Sequence, residues 1–210
     1  MKRPFHHGNL RAVLLDQAEA MLREQGSDGL SLRELARQAG VSHGAPRSHF
    51  IDRQALLDAL AEQGFDRFTD RARAALAVPG PVRERLRALG RAYVDFAVDN
   101  AALMELMFAA KSSQSSGPVH DAAMRFFQVL DGAMVDVSGA ALDDGVRTRF
   151  KLLFAATMQG TAALITARRI TREQGETLVD DAADALLASE LGARLTAPRG
   201  EPADAPALSP

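Results

Sequence analysis

The chain has 210 residues, of which 47% are hydrophobic and 25% charged, with a net charge of −2, so it can bury a sizeable core and is neither strongly acidic nor strongly basic. It contains no cysteine, which excludes disulfide bonds and thiolate metal sites and favours a cytoplasmic location. No apolar signal segment opens the sequence, and its most apolar stretch, residues 152–167, is too short to cross a bilayer. The composition therefore predicts a globular, helix-rich protein.

Three short helices are predicted at the N-terminus. The first covers residues 10–25 and has Asn9 placed to cap it. Its apolar face is formed by Leu10, Leu14, Ala18, Met21 and Leu22. The second begins with Ser31-Leu32-Arg33-Glu34, which has the spacing of a capping box, and ends at Gly40. Ser42 is expected to cap a third helix over residues 43–49.

The second and third predicted helices are joined by Ala39-Gly40-Val41-Ser42, a spacing typical of a helix-turn-helix. A plain helical hairpin would show the same spacing. The third helix, however, has no continuous apolar stripe, because its residues other than Pro46 are small, polar or basic. This composition favours a helix that approaches DNA bases closely over one that fills a core.

Six longer helices are predicted after the first three. The fourth starts after Asp52 and has Leu56, Leu57, Leu60, Phe65 and Phe68 at helical spacing. The remaining five cover residues 82–98, 101–110, 119–137, 146–168 and 174–195. Four prolines after residue 195 predict a disordered tail. The fold class is therefore all-α with about nine helices, and we expect three segments, at residues 1–55, 56–195 and 196–210.

The N-terminal motifs resemble one known family. The order of Leu-Ser-Leu-Arg-Glu-Leu-Ala (30–36), Ala-Gly-Val-Ser (39–42), His-Phe (49–50) and Leu-Leu (56–57) is similar to the DNA-binding domain of TetR-family regulators. The opening residues 5–11 and Ala45-Pro46 resemble one subset of that family. Residues 99–108 resemble the WHG type of its C-terminal domain, although at the motif that names this type the chain has Met158-Gln159-Gly160.

The resemblance implies a homodimer formed through the eighth and ninth predicted helices, and a pocket for a small-molecule effector among the fourth to eighth. The eighth predicted helix is apolar nearly all round, which suits a helix with a core on one side and a partner on the other. Burial within a larger monomer would give the same pattern. Where the family usually has a Tyr that contacts phosphate, this chain has Arg47, and Arg53 replaces the usual Lys.

The predicted DNA interface divides into phosphate contacts and base contacts. The residues expected to bind phosphate are Ser31, Arg33, Arg47, His49 and Arg53. The residues expected to face bases are Ser42, His43, Gly44 and Ala45, and Ser48 completes the interface. The basic arm at Lys2, Arg3, His6 and His7 either follows the DNA or is a solvated terminus. A metal site at His43 and His49 is disfavoured because no Cys, Asp or Glu nearby completes it, and no cofactor is predicted.

The predicted effector pocket rests on large apolar side chains, which are either pocket lining or ordinary core. These are Phe96, Met104, Met107, Phe108, Phe126, Phe127, Phe154 and Met158. Four polar residues are candidates for orienting a ligand: Tyr93, Arg125, Gln128 and Gln159.

Two functions other than a DNA-binding regulator have weaker support in the sequence. An all-helical enzyme is poorly supported, because the sequence has no Ser-His-Asp set, phosphate-binding Gly loop or helical metal motif. We refer to the TetR-like N-terminal segment, residues 1–55, as the head. A protein-interaction module that kept the head but lost DNA binding is favoured only by Arg47 at the usual Tyr position.

Overall fold

The computed structural model describes residues 10–113, 116–138 and 144–196, and these form helices and no strand. The α-helices are α1 (Leu10–Gln25), α2 (Leu32–Gln38), α3 (Arg53–Leu76), α4 (Val82–Asp99), α5 (Ala101–Ser113), α6 (Pro118–Ser138), α7 (Asp144–Thr166), α8 (Arg172–Ala188) and α9 (Glu190–Thr196). Two 3₁₀ helices cover Ser27–Gly29 and Pro46–Ser48. The predicted basic arm and the tail after Thr196 lie outside the described residues.

The all-α prediction is confirmed, and the first helix has the bounds that the sequence predicts. Leu14, Ala18, Met21 and Leu22 of α1 are buried as its periodicity indicates. The five apolar residues predicted on the long helix that follows the head, now α3, are buried as well. Asp52 caps α3 by accepting a hydrogen bond from the Ala55 amide at 2.8 Å.

Two predicted helices differ from those observed. The third is not an α-helix over residues 43–49 but a turn followed by the 3₁₀ helix Pro46–Ser48. The ninth is not continuous over residues 174–195, because α8 ends at Ala188 and α9 begins at Glu190. Ser189 produces this break: its hydroxyl donates to the Leu186 carbonyl at 2.6 Å and accepts from the Gly192 amide at 3.1 Å.

Helix α3 is the central element of the fold. It packs against α1, α4, α5 and α6. Gly64 permits the close approach of α5, because a Cβ there would lie 2.6 Å from the Met107 sulfur. A single apolar core runs from Leu14 in α1 to Leu195 in α9. The helix that follows the N-terminal head is therefore also the axis of the bundle.

Ion pairs join α4 to α8. In the middle of the interface Arg91 pairs with Asp180 at 2.5 Å. Toward the start of α4, Arg87 pairs with Asp184 at 2.6 Å, and toward its end Arg172 of α8 pairs with Asp99. The paired residues on α4 are four and eight positions apart, so they form one stripe along its surface.

No helix among the described residues is long and apolar enough to cross a membrane.

Candidate nucleic-acid interface and helical interior

The turn after α2 is fixed by the backbone. Gly40 has a φ of 67°, in the left-handed region that favours glycine. The Gly40 amide donates to the Arg37 carbonyl at 3.3 Å, and the Val41 amide donates to the Ala36 carbonyl at 3.0 Å. These two bonds form a Schellman motif, which ends α2 and sets the direction of the chain that follows. The predicted glycine stop is therefore confirmed.

The segment after this turn is held in a tight helical conformation. The Ala45 amide donates to the Ser42 carbonyl at 2.9 Å, and the Phe50 amide donates to the Pro46 carbonyl at 2.8 Å. Pro46 is the first residue of the 3₁₀ helix, where an amide proton would have no partner within the helix, so the ring removes no hydrogen bond. Ser42 does not cap this helix: its N-cap is Ala45, without a side-chain hydrogen bond.

Most of the predicted interface residues are exposed together on this segment. Pro46 and Phe50 are buried and anchor it, whereas Ala45 is half-buried. The exposed residues are Ser42, His43, Gly44, Arg47, Ser48 and His49. The Ser48 hydroxyl donates to the Ala45 carbonyl at 2.7 Å, so it also stabilises the local turn. We refer to residues 42–49 as the reading segment.

The start of α2 carries a cap, but not the predicted capping box. The Ser31 hydroxyl accepts a hydrogen bond from the Glu34 amide at 3.1 Å. The Glu34 carboxylate does not return to Ser31; it accepts from Arg37 and from Gln38, the latter at 2.8 Å. The hydrogen bond from Arg37, followed by that from Gln38, lowers the pKa of Glu34 to about 2. Glu34 therefore remains charged, and Arg33 stays exposed beside it.

Arg53 has an additional role that the sequence did not indicate. Its Nε donates to the Leu30 carbonyl at 2.9 Å, and its Nη2 donates to the Ser27 carbonyl at 2.5 Å. These bonds fasten the start of α3 to the turn between α1 and α2. Its side chain nevertheless keeps 43% of its surface exposed.

Arg11 of α1 lies against the base of the reading segment. Its guanidinium carbon is 5.5 Å from the centroid of the Phe50 ring, a cation–π contact between residues far apart in the sequence. Among the described residues there is no group of three His, Cys, Asp or Glu that could hold a metal ion. The contacts that organise the head are thus hydrogen bonds from side chains to the backbone, and packing on Phe50.

The interior of the bundle contains an aromatic cluster centred on Phe68. Its ring stacks on Phe96 at 4.7 Å and on Phe126 at 4.4 Å, and meets Tyr93 edge-on at 5.3 Å. We refer to these four residues as the aromatic cluster. Phe96 and Phe126, two of the residues predicted to contact an effector, therefore both stack on the Phe68 ring.

The other predicted effector residues belong to the apolar core or pack against it. Met104, Met107, Phe154 and Met158 are buried, whereas Phe108 and Phe127 are half-buried. Phe154 and Met158 lie against Gly90, where a Cβ would be 2.9 Å from the Met158 sulfur. None of the eight residues lines the surface cleft of about 410 Å³ between α1 and α3, which is formed by Arg11, Ala12, Leu15, Ala59, Glu62, Gln63 and Asp66.

The four predicted ligand-orienting residues differ in burial. The Tyr93 hydroxyl donates to Gln159 Oε1 at 2.9 Å, and burial raises the pKa of Tyr93 to about 12. Gln128 is exposed, and so is Arg125, which donates to Asp66 at 2.7 Å on the surface. Gln159 is exposed as well, so of the four candidates only Tyr93 is buried, and a ligand-orienting role for any of them stays a prediction.

Comparison with known proteins identifies the family. Residues 14–60 match the model of bacterial regulatory proteins of the tetR family, and residues 86–189 match that of the tetracyclin repressor-like C-terminal domain. The chain belongs to the TetR family. Similar solved structures include a protein with unknown function from Rhodococcus sp. RHA1, 39% identical over 88% of this chain and 97% of that one, with a TM-score of 0.78.

More distant structures of TetR-family proteins show the same fold. A putative TetR-family transcriptional regulator from Rhodococcus sp. is 20% identical over 85% of this chain and 98% of its own, with a TM-score of 0.61. A TetR-family transcriptional regulator from Bordetella parapertussis 12822 is 15% identical over 88% and 97%, with a TM-score of 0.66. No curated protein matches the chain. This TetR-family chain is thus a transcriptional regulator by family, with a DNA-binding fold.

Proposed function

We propose that this protein is a ligand-responsive repressor that binds a near-palindromic DNA site as a homodimer and is released by a small apolar molecule. The observation that carries the proposal is the exposed reading segment, anchored through Pro46 and Phe50 on a rigid head. We assign DNA contact to residues 1–55, and ligand and dimer contacts to residues 56–195. Such a regulator acts on DNA in the cytoplasm and needs no enzymatic activity.

The proposed DNA contacts follow from chemistry and exposure. Arg47 is exposed beside small residues, so its guanidinium suits a phosphate while Gly44 lets the backbone approach base edges. Arg33 and His49 are exposed and suit further phosphates, and Ser31 offers a hydroxyl at the start of α2. Arg53 holds the turn before α2 and is exposed enough to contact a phosphate as well.

The proposed dimer rests on an unpartnered face of α7. Leu152 is 64% exposed and Leu153 is 48% exposed, and Ala156, Gly160 and Ala163 continue the same exposed face. A Cβ at Gly160 would meet no atom within 4 Å, so the face is open there. Small and apolar residues at helical spacing suit the close packing of a second copy of α7, with α8 beside it.

The proposed effector site is the interior around the aromatic cluster. Its walls are aromatic and methionine side chains, which adapt to apolar ligands. Tyr93 supplies a buried hydroxyl that can orient such a ligand, and this hydroxyl donates to the exposed Gln159. Binding there can alter DNA affinity only if the ligand prefers one of two conformations of the dimer.

DNA binding is tested in two steps. The purified wild-type chain first selects a site from random-sequence duplex DNA, and fluorescence anisotropy then measures its affinity for the selected site. We expect a near-palindromic site with half-sites about one helical turn, or a multiple of it, apart. Arg47→Ala should weaken binding to all sequences alike and lower the salt slope by about 1, because one phosphate contact is lost.

Arg73→Ala is the matched control, since Arg73 is exposed on α3 outside the head and pairs locally with Asp70 at 3.2 Å. It should bind the selected DNA like wild type. If the folded wild type selects no DNA at low salt, the repressor proposal is wrong and a protein-interaction module becomes the better account. A loss confined to one base position in Arg47→Ala would contradict the phosphate role.

A further inference from the structure

Arg67 of α3 lies between the head and the bundle interior. Its Nη1 and Nη2 donate to the two carboxylate oxygens of Glu19 in α1, each at 3.0 Å. The Glu19 side chain is only 13% exposed. A two-point contact of this kind fixes the plane of the guanidinium as well as its distance from the carboxylate. A single apolar contact would not fix the plane.

The same guanidinium also lies over a ring of the aromatic cluster. The Arg67 guanidinium carbon is 6.0 Å from the centroid of Phe96, and that of Arg71 is 5.2 Å from it. Phe96 in turn stacks on Phe68, which also contacts Tyr93. One side chain of α3 therefore touches both the first helix of the head and the cluster to which we assign the effector.

From this placement we infer that the Glu19–Arg67 pair couples the aromatic cluster to the orientation of the head. The inference rests on the proposed function. A shift of Phe96 would displace the guanidinium above it, and the two-point contact would pass that shift to α1, which packs on α2. Coupling between two sites is reciprocal, so DNA bound at the head must also perturb the cluster. Arg67 is thus a positioning residue.

The single tyrosine of the chain makes this coupling measurable without the effector. Tyr93 belongs to the aromatic cluster, so 3-fluorotyrosine incorporated in its place gives one ¹⁹F resonance that reports on the cluster. The experiment adds the selected operator duplex at saturation to the full-length wild type, to Glu19→Gln and to Arg67→Met. Arg73→Met is the matched control, because its pair with Asp70 lies on the surface of the same helix.

We expect operator DNA to shift the resonance in wild type and in Arg73→Met. The shift should be lost in Glu19→Gln and Arg67→Met even though anisotropy shows these variants fully bound. Glu19→Gln keeps the shape of the side chain, so it remains a usable test variant if Arg67→Met does not fold. Equal shifts in all four proteins, with only a lower melting temperature in the two variants, would reduce the pair to a structural role and overturn the inference.

Wild type that binds operator without any shift would also overturn the coupling, while leaving the repressor proposal intact. Failure of wild type to bind any DNA would instead remove the proposed function, and the coupling with it.

Discussion

Tyr93 shows how burial of one hydroxyl makes stability depend on pH. It is buried in the aromatic cluster, and its hydroxyl donates to Gln159 Oε1 at 2.9 Å. Burial disfavours the charged phenolate and raises the pKa from 10.0 to about 12. In the unfolded chain the same tyrosine ionises near its ordinary value. The unfolded state therefore releases a proton first as pH rises.

The free energy of unfolding should fall between pH 10 and about pH 12 by about 2–3 kcal/mol from this group alone, since each unit of pKa difference corresponds to about 1.4 kcal/mol. Tyr93→Phe should lack this part of the alkaline loss. Denaturant unfolding of both proteins across the alkaline range measures it, and phenolate absorbance follows the single tyrosine directly. Parallel alkaline slopes for the two proteins would contradict the assignment.

Arg168 is a residue held in an unfavourable backbone conformation. Its φ is 56°, in the left-handed region that few side chains adopt. It ends α7 in a Schellman motif, with the Arg168 amide donating to Ile165 and the Arg169 amide donating to Leu164, both at 2.9 Å. Glycine is the residue that usually occupies this position, because it lacks a Cβ.

We expect Arg168→Gly to stabilise the protein by about 1 kcal/mol, the approximate penalty of a left-handed non-glycine residue. Urea unfolding at matched protein concentration measures the change. Arg169→Gly is the control, because Arg169 has no positive φ, and it should leave stability unchanged or lower it. Equal effects of the two substitutions would mean that the φ of Arg168 is not the cause.

At the scale of elements, α4 and α8 are matched by charge as well as by apolar packing. Along α4 the charged residues of the stripe are Arg87, Arg91 and then Asp99. The α8 residues that pair with them, Asp184, Asp180 and Arg172 respectively, carry the opposite charges. Sliding α8 by one turn in one direction would bring Asp180 opposite Asp95, whereas the opposite slide would bring Asp180 opposite Arg87, so the charges oppose displacement in one direction only. Tight packing at Gly90, where a Cβ would lie 2.7 Å from Val179, supports the same register.

A charge reversal tests this register. Arg91→Asp should lower the free energy of unfolding by about 1 kcal/mol or more, because it replaces an ion pair by two facing carboxylates. Combining it with Asp180→Arg should recover part of the loss at low salt, and the recovery should shrink in concentrated salt. A double-mutant cycle by urea unfolding measures both. No recovery in the double variant would argue against a specific pair.

For the whole molecule, the outward face of α7 is the surface on which the proposed dimer depends. Leu152 and Leu153 are exposed on a helix whose other face, with Phe150, Phe154 and Met158, is fully inside the core. One helix thus presents apolar residues in two directions, and only one of them is satisfied within the described chain. A single copy leaves this surface in water, which favours association.

Leu153→Glu should weaken self-association at least about tenfold, since it would place an unpaired charge in the interface. Sedimentation velocity over a dilution series measures it. Val78→Glu is the control, because Val78 is also exposed but lies in the turn between α3 and α4. An unchanged dimer in Leu153→Glu would show that α7 is not the interface.

Much of this architecture was predictable from local pattern. Periodicity placed α1 and α3, and Gly40 placed the end of α2, because each signal depends on neighbours within one or two turns. The same reasoning predicted a capping box at Ser31, whereas the complete box forms between Thr171 and Gln174 at the start of α8. The local motif is alike at both places. At α2 the Glu34 carboxylate is taken instead by Arg37 and Gln38.

The reading segment was found from sequence by its composition, although its helix type was not. Small and polar residues without an apolar stripe indicate an exposed element, and six of the residues between 42 and 49 are exposed. Pro46 at the first helical position and two buried anchors favour the short 3₁₀ turn over an α-helix. Which of these residues contact DNA stays a prediction.

By itself, the sequence determined the helical class, most helix bounds and the position of the reading segment, because those depend on residues close along the chain. Only the tertiary structure decided which polar groups meet. Arg67 and Glu19 are 48 residues apart, and Arg53 reaches carbonyls 23 and 26 residues away. The tertiary structure also decided that Phe154 faces inward and Leu153 faces outward on one apolar helix. Such choices depend on the helices packed against each residue, which no local pattern specifies.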